Sequence, residues 1–235
     1  QSDAIKRHSA EPLNAVRDRA FNDFKAQGFP TRKVARYKYT DMAALFAPNY
    51  GLNLNRLAIP VDPYEAFKCD VPNLSTSLYF IINDTFYTKM LPSAHLPEGV
   101  IIDSLCHVAT EKPDFIAKYY AKLANTQEDG ITALNTMLAQ DGLLVYVPKN
   151  VKTDRPIQVI NMLRADVALM VNRRVLIIME QNAEAKFLFC DHAADDRRFL
   201  STQVIEVYVD ENAHLELNCL EETHFKNTRV SNVYI

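Results

Sequence analysis

After Gly142 the chain is a succession of short β-rich runs, and two of the corners between them are near copies of each other. Glu180-Gln181-Asn182-Ala183 and Asp210-Glu211-Asn212-Ala213 share an acidic-x-Asn-Ala pattern at an offset of 30 residues. Each corner leads from one apolar run into another, and the second runs start at Ile157, Ala185 and His214, close to the same step. A fixed period of roughly 20–50 residues made of short strands is the mark of a solenoid, whose coils bury their apolar faces against their neighbours. The runs are Leu143–Val147, Ile157–Leu163, Val175–Glu180, Ala185–Cys190, Gln203–Val209, His214–Leu220 and Thr228–Ile235. A β-sandwich would place turn signals roughly every 8–12 residues. The stretches 164–174 and 191–202 read as connections too long for that. The expected core is a parallel β-helix over 142–235.

Residues 1–141 have a different texture, mixed α and β with helices dominant. Leu13, Val16, Ala20, Phe21 and Phe24 fall near helical spacing between Ala10 and Gln27, and Gly28 with Pro30 ends the pattern. Asp41 is placed to cap a short helix through Leu45. Residues 49–73 are loop-like and carry Pro60, Pro63 and Pro72. Leu78–Ile82 and Thr85–Met90 flank Asn83-Asp84, a two-residue turn that tolerates positive φ, and predict a hairpin. Gly99–Asp103 predicts another strand, and Pro113–Leu123 and Thr132–Ala139 predict helices.

Composition closes off several functions. The five glycines, Gly28, Gly51, Gly99, Gly130 and Gly142, are too far apart for G-x-G-x-x-G or a P-loop, so the chain has no nucleotide cradle of its own. A formal net charge of −3 lacks the basic excess of a nucleic-acid binder. The densest basic cluster, Arg32-Lys33 with Arg36 and Lys38, reads as a solvated face, and Tyr37 and Tyr39 beside it as packing. No apolar run reaches the roughly 20 residues of a membrane span, and the first residues lack the apolar stretch of a signal peptide. Cys69, Cys106, Cys190 and Cys219 are widely separated and form no C-x-x-C pair. Free thiols in a reducing, cytoplasmic compartment are expected.

Three groupings invite chemistry. Cys190 and His192 would share one side of a strand, and thiolate with imidazole suits zinc, but a zinc site needs two further ligands. Glu221, Glu222 and His224 read as a charged strand end. Asp103-Ser104-Leu105-Cys106-His107 holds nucleophile, base and acid types within five residues, yet neighbours along a strand do not assemble a triad. No catalytic, cofactor-binding or metal-binding residue is assigned from these groupings.

Several segments, in order, resemble one family. Gly28-Phe29-Pro30-Thr31-Arg32-Lys33 with Tyr37-Lys38-Tyr39-Thr40-Asp41 is similar to a motif near the N-terminus of the SufD proteins. Leu96-Pro97-Glu98-Gly99-Val100, Ala133-Leu134-Asn135, Asp141-Gly142, Val147-Pro148-Lys149-Asn150-Val151 and Arg174-Val175-Leu176-Ile177 follow in the family's order. The family's Glu-x-Trp is replaced around Arg36 and Tyr37, and the chain contains no Trp. A Tyr can fill the apolar role of a Trp while keeping a polar tip.

The resemblance implies an N-terminal helix-rich region followed by a right-handed parallel β-helix. It implies a non-enzymatic scaffold of iron–sulfur cluster assembly, partnered by a SufB-like subunit and the ATPase SufC, with the cluster built by the whole complex. It also implies a longer protein, so that these residues read as an N-terminal half, truncated inside its solenoid, with most partner contacts beyond it. No site residue is carried over. The alternative is a secreted β-helix enzyme acting on polysaccharide, which expects a carboxylate- or Arg-lined groove along the solenoid.

Overall fold

In the computed structural model, which describes residues 2–63, 77–89 and 96–235, the repeated corners fold alike. Asn182 and Asn212 adopt φ of 60° and 54°, and Asn150 makes a third such corner at 63°. This left-handed region costs most L-residues about 1–2 kcal/mol, and Asn is among the few that visit it routinely. The corners are also hydrogen-bonded to one another. Asn150 N–H donates to Gln181 O and Asn182 N–H to Glu211 O, both at 3.0 Å, and Asn182 Nδ2 donates to Asn150 Oδ1 at 2.7 Å. Asn182→Val should therefore lower unfolding free energy by about 1–2 kcal/mol, and Asn182→Gly by clearly less. Urea denaturation of the two variants measures the difference; equal losses would refute a conformational origin.

Around these corners the chain winds as a flattened coil of two sheets. The first sheet has the order β2-β1-β5-β7-β9, built from Thr85–Phe86, Ser77–Ile82, Ile157–Leu163, Glu184–Ala193 and His214–Glu222. The second has the order β10-β8-β6-β4-β3, built from Thr228–Tyr234, Phe199–Val209, Leu169–Met179, Leu143–Val147 and Ile101–Ser104. Among the described residues pairing is parallel between successive coils and antiparallel only at the entering edge, where β1 meets β2 and β3 meets β4. The register repeats at 30 residues in the middle of the stack, as in Leu169↔Phe199 and Glu184↔His214. The hairpin at Asn83-Asp84 forms as expected, with Asn83 at φ 58°, although its second strand is only Thr85–Phe86. Met90, Cys69 and the loop residues 64–73 lie outside the described residues.

The sheets reach back across residue 142, since β1 and β3 are integral members of them. Strands β6 and β8 also begin earlier than their apolar runs, at Leu169 and Phe199, which shortens the connections to 164–168 and 194–198. What distinguishes the coil from a sandwich is thus the parallel ladder rather than the length of its turns.

The space between the sheets is filled by alternate side chains, including Val145, Val159, Ile177, Phe187, Phe189 and Ile205, all buried. Complete burial contributes about 1.5–3 kcal/mol for each large aliphatic or aromatic side chain. The other face of the second sheet is covered by helices. These are α1 (Ser2–Arg7), α2 (Glu11–Asn14), α3 (Arg17–Gln27), α4 (Met42–Phe46), α5 (Leu105–Glu111), α6 (Pro113–Tyr119) and α7 (Gly130–Leu138). Leu13, Leu105, Ile116 and Tyr120 from this layer pack on Leu144, Leu176 and Ile178 of the sheet. Asp41 caps α4 by accepting from Ala44 N–H at 3.0 Å, and Gly28 ends α3 with φ 64°.

Helix α5 is absent from the sequence reading, which ended the strand at Asp103 and predicted no helix between there and Pro113. Its signals are present nonetheless. Ser104 accepts from His107 N–H at 3.0 Å as the N-cap, and Leu105, Val108 and Ala109 are buried at helical spacing.

Candidate functional site

Arg173 and Arg174 are adjacent on β6, so their side chains leave opposite faces of the sheet. Both are essentially fully buried, at 2% and 0% exposure. A buried guanidinium demands a partner, because the cost of leaving a charge unpaired in the interior exceeds that of most core mutations.

Arg174 meets the helical layer. Its Nη2 donates to Glu206 Oε2 at 2.6 Å, its Nη1 donates to Thr136 Oγ1 at 3.0 Å, and the guanidinium lies over the Tyr120 ring at 4.7 Å. Burial opposes its charge, but Glu206, together with Tyr120 and Tyr234, outweighs that and raises the pKa. Glu206 also accepts the N–H groups of Ala121, Leu123 and Ala124 at 3.0, 3.1 and 3.0 Å. Those amides belong to the chain leaving α6, where Ala121 is held at φ 57°. One carboxylate thus joins the sheet to the loop that follows α6.

Arg173 points into the coil. Its Nε donates to Asn83 O at 2.9 Å, and its Nη1 is paired with Asp191 on β7. Asp191 Oδ2 also accepts from Arg229 Nη1 at 2.8 Å, and Arg229 Nη2 reaches Glu221 at 2.9 Å. Alternating charges therefore run between the sheets, from β6 and β7 to β10 and β9. Their neighbours in the ladders continue the polar stripe: Gln203 beside Arg173, Ser231 beside Gln203, and Asn161 beside Asp191.

The residues singled out by sequence fall elsewhere. Cys190 is buried on the outer face of the first sheet, packed with Phe80 and Ile160, and Gln158 Nε2 approaches its Sγ at 3.4 Å. His192 lies on the same side, as expected, with Nδ1 3.7 Å from Glu222 Oε2. Among the described residues no group of three or more His, Cys, Asp and Glu is placed to hold a metal ion. Glu221 is taken up by Arg229, while His224 Nδ1 accepts from Lys226 N–H at 3.3 Å in an exposed turn.

Asp103 pairs with His107, while Ser104 and Cys106 both turn to Asp141. His107 Nδ1 lies 2.7 Å from Asp103 Oδ2, whereas Ser104 Oγ donates to Asp141 Oδ1 at 2.6 Å. The serine hydroxyl thus bonds a buried carboxylate and caps a helix; its side chain makes no bond to the imidazole. Asp141 accepts in addition from Cys106 N–H and Phe86 N–H. Burial pushes the Cys106 thiol up, away from a reactive thiolate.

The hydrogen bond and charge of Asp103 raise the pKa of His107. A raised native pKa means that this contact stabilises the fold fully below the ordinary histidine value and fades as pH rises through the native one. Proton NMR should find His107 titrating above 6.5, and Asp103→Asn should return it toward that value; an unchanged midpoint in the variant would remove Asp103 as the cause.

Tyr37 is buried, with its hydroxyl donating to Asp129 Oδ2 at 2.8 Å, and Tyr39 is exposed. Asp129 caps α7 through Thr132 N–H at 2.9 Å and also accepts from Asn232 Nδ2 of β10 at 3.2 Å. Burial raises the Tyr37 pKa, so the phenol remains a donor. The Tyr37 segment therefore serves packing, as read, and fastens the N-terminal layer to β10.

What the sequence missed is the buried charge pairing. Its one visible signal was Asn172-Arg173-Arg174 immediately before an apolar run, with acidic Asp191 and Glu206 in the runs that follow.

Comparison with known proteins agrees with this architecture. A family model described as the SufBD protein N-terminal region matches residues 1–159. A second, described as the SUF system FeS cluster assembly SufBD core domain, matches 161–235. An iron–sulfur cluster assembly SufBD family protein of Synechocystis is 26% identical over 239 residues, covering 93% of this chain and 48% of that protein. Iron–sulfur cluster assembly protein SufD of Bacillus subtilis is 27% identical over 157 residues, covering 66% of this chain and 35% of that protein. A SufBD family protein of Trieres chinensis is 25% identical over 236 residues, covering 94% and 48%. The chain thus spans at most about half the length of these relatives. Among the described residues, no helix is long and apolar enough to cross a membrane. With both family models matched in tandem over a helix-covered, parallel two-sheet coil, the chain belongs to the SufBD family of iron–sulfur cluster assembly proteins.

Proposed function

We propose that this chain is part of a cytoplasmic, non-enzymatic scaffold subunit of iron–sulfur cluster assembly, acting with a SufB-like subunit and the ATPase SufC. The observation that carries the reading is the order of the two family matches, N-terminal region then core, over the whole chain. The structure is compatible with it. The buried charges of Arg173 and Arg174 are engaged by Asp191 and Glu206, and the spread of glycines offers no phosphate cradle, so ATP turnover falls to a partner. In this reading the iron–sulfur cluster is cargo of the assembled complex rather than a resident cofactor of these residues.

The test is anaerobic co-purification of the full-length protein with a SufB-like subunit and SufC. A stable complex, with ATPase activity only when SufC is present, is the expected result. Failure to recover any complex containing SufC, or ATP hydrolysis by this subunit alone, would overturn it.

A further inference from the structure

Two polar atoms inside the coil have no hydrogen-bond partner among the described residues, and they belong to adjacent residues. Arg173 and Gln203 are directly paired in the β6–β8 ladder, so both side chains enter the space between the sheets. Each is 2% exposed. Arg173 uses Nε for Asn83 O and Nη1 for Asp191, which leaves Nη2 unmatched. Gln203 donates from Nε2 to Ser231 Oγ at 3.1 Å, which leaves Oε1 unmatched. One orphan is a donor and the other an acceptor.

We propose that an ordered water molecule binds between Arg173 Nη2 and Gln203 Oε1 as a structural part of the coil. Leaving both groups bare would incur two desolvation penalties, whereas one water can accept from the first and donate to the second. Water suits the site better than an anion. The local charges already balance, Arg173 and Arg229 against Asp191 and Glu221, so an added anion would have no uncompensated cation to meet. Asn161, buried on the facing sheet beside Asp191, is a polar neighbour in the same stripe.

A high-resolution crystal structure of the chain decides the matter, supported by a second structure of Gln203→Met. The wild type is expected to show a water peak within about 2.7–3.2 Å of both atoms, and the variant to lose it. A direct Arg173–Gln203 hydrogen bond, or a dry contact, would overturn the proposal. If Gln203→Met fails to fold, water-to-amide magnetisation transfer in the wild type provides the second measurement. A long-lived water signal at the Arg173 or Gln203 amide is expected, and its absence would count against the site.

Discussion

Replacing Glu206 with alanine should cost this chain about 4 kcal/mol or more, and on the usual stability scale of about 5–15 kcal/mol that leaves it marginal or unfolded. Two losses combine. Arg174, at 0% exposure, would keep its place over Tyr120 and lose its counter-charge. Breaking a buried pair from one side typically costs about 3–5 kcal/mol, because the remaining ion is stranded. The amides of Ala121, Leu123 and Ala124 would lose their acceptor at the same time, and Ala121 would keep its left-handed conformation without that hydrogen bond. Glu206→Gln separates the two effects in part: it removes the charge, its single amide oxygen can still accept from Leu123 and Ala124, and its NH2 replaces the oxygen that served Ala121 and Arg174. Urea midpoints for the two variants should fall in the order wild type, Gln, Ala. A loss under about 1 kcal/mol for the alanine variant would show that the junction relaxes without its carboxylate.

Gly142→Ala is the second large effect. A Cβ on Gly142 would stand 2.0 Å from Arg174 O and 2.9 Å from its carbonyl carbon, and both are backbone atoms of a central strand. Neither can swing aside as a side-chain tip does, so β4 must separate from β6 or the strand must bend. Overpacking generally costs about 1–3 kcal/mol, and a backbone obstacle at the start of a buried ladder belongs at or above the upper end. About 3 kcal/mol corresponds to a fall in Tm of roughly 6–12 °C for a chain of this size. Gly51→Ala is the control, because its Cβ would meet nothing nearer than 3.4 Å. Equal melting temperatures for the two variants would refute the steric argument.

Much of the architecture was legible in the sequence because the coil repeats. A corner that requires a left-handed residue selects Asn, and the match of Asn182 with Asn212 set both period and fold class. Asn150 followed the same rule under a different dress, Pro148-Lys149-Asn150-Val151, and escaped notice because its neighbours are not acidic. The starts of β6 and β8 were hidden for another reason. Asn172, Arg173 and Arg174 look like turn residues when polarity alone is weighed, and only their partners 18 and 32 residues away explain their burial. Pairing of that kind is three-dimensional information with no local periodicity. Helix α5 was lost more simply. Ile101-Ile102 announces a strand, and the cap that ends it is a single serine followed by one helical repeat.

The staple between the N-terminal layer and β10 has a consequence for the order of folding. Ladder partners in the coil lie about 30 residues apart in sequence, whereas Tyr37 and Asn232 meet across 195. Closing the longer loop costs about 1.7 kcal/mol more chain entropy than closing one coil. A coil can therefore be added to an existing edge before the amino-terminal turn finds β10, and that turn docks on a surface already formed. The two ends of the chain then record the extremes of its assembly: adjacent coils close first, and the contact that spans nearly the whole sequence closes last. Pulse-labelled hydrogen exchange should find amides of β6 and β8 protected before those flanking Tyr37.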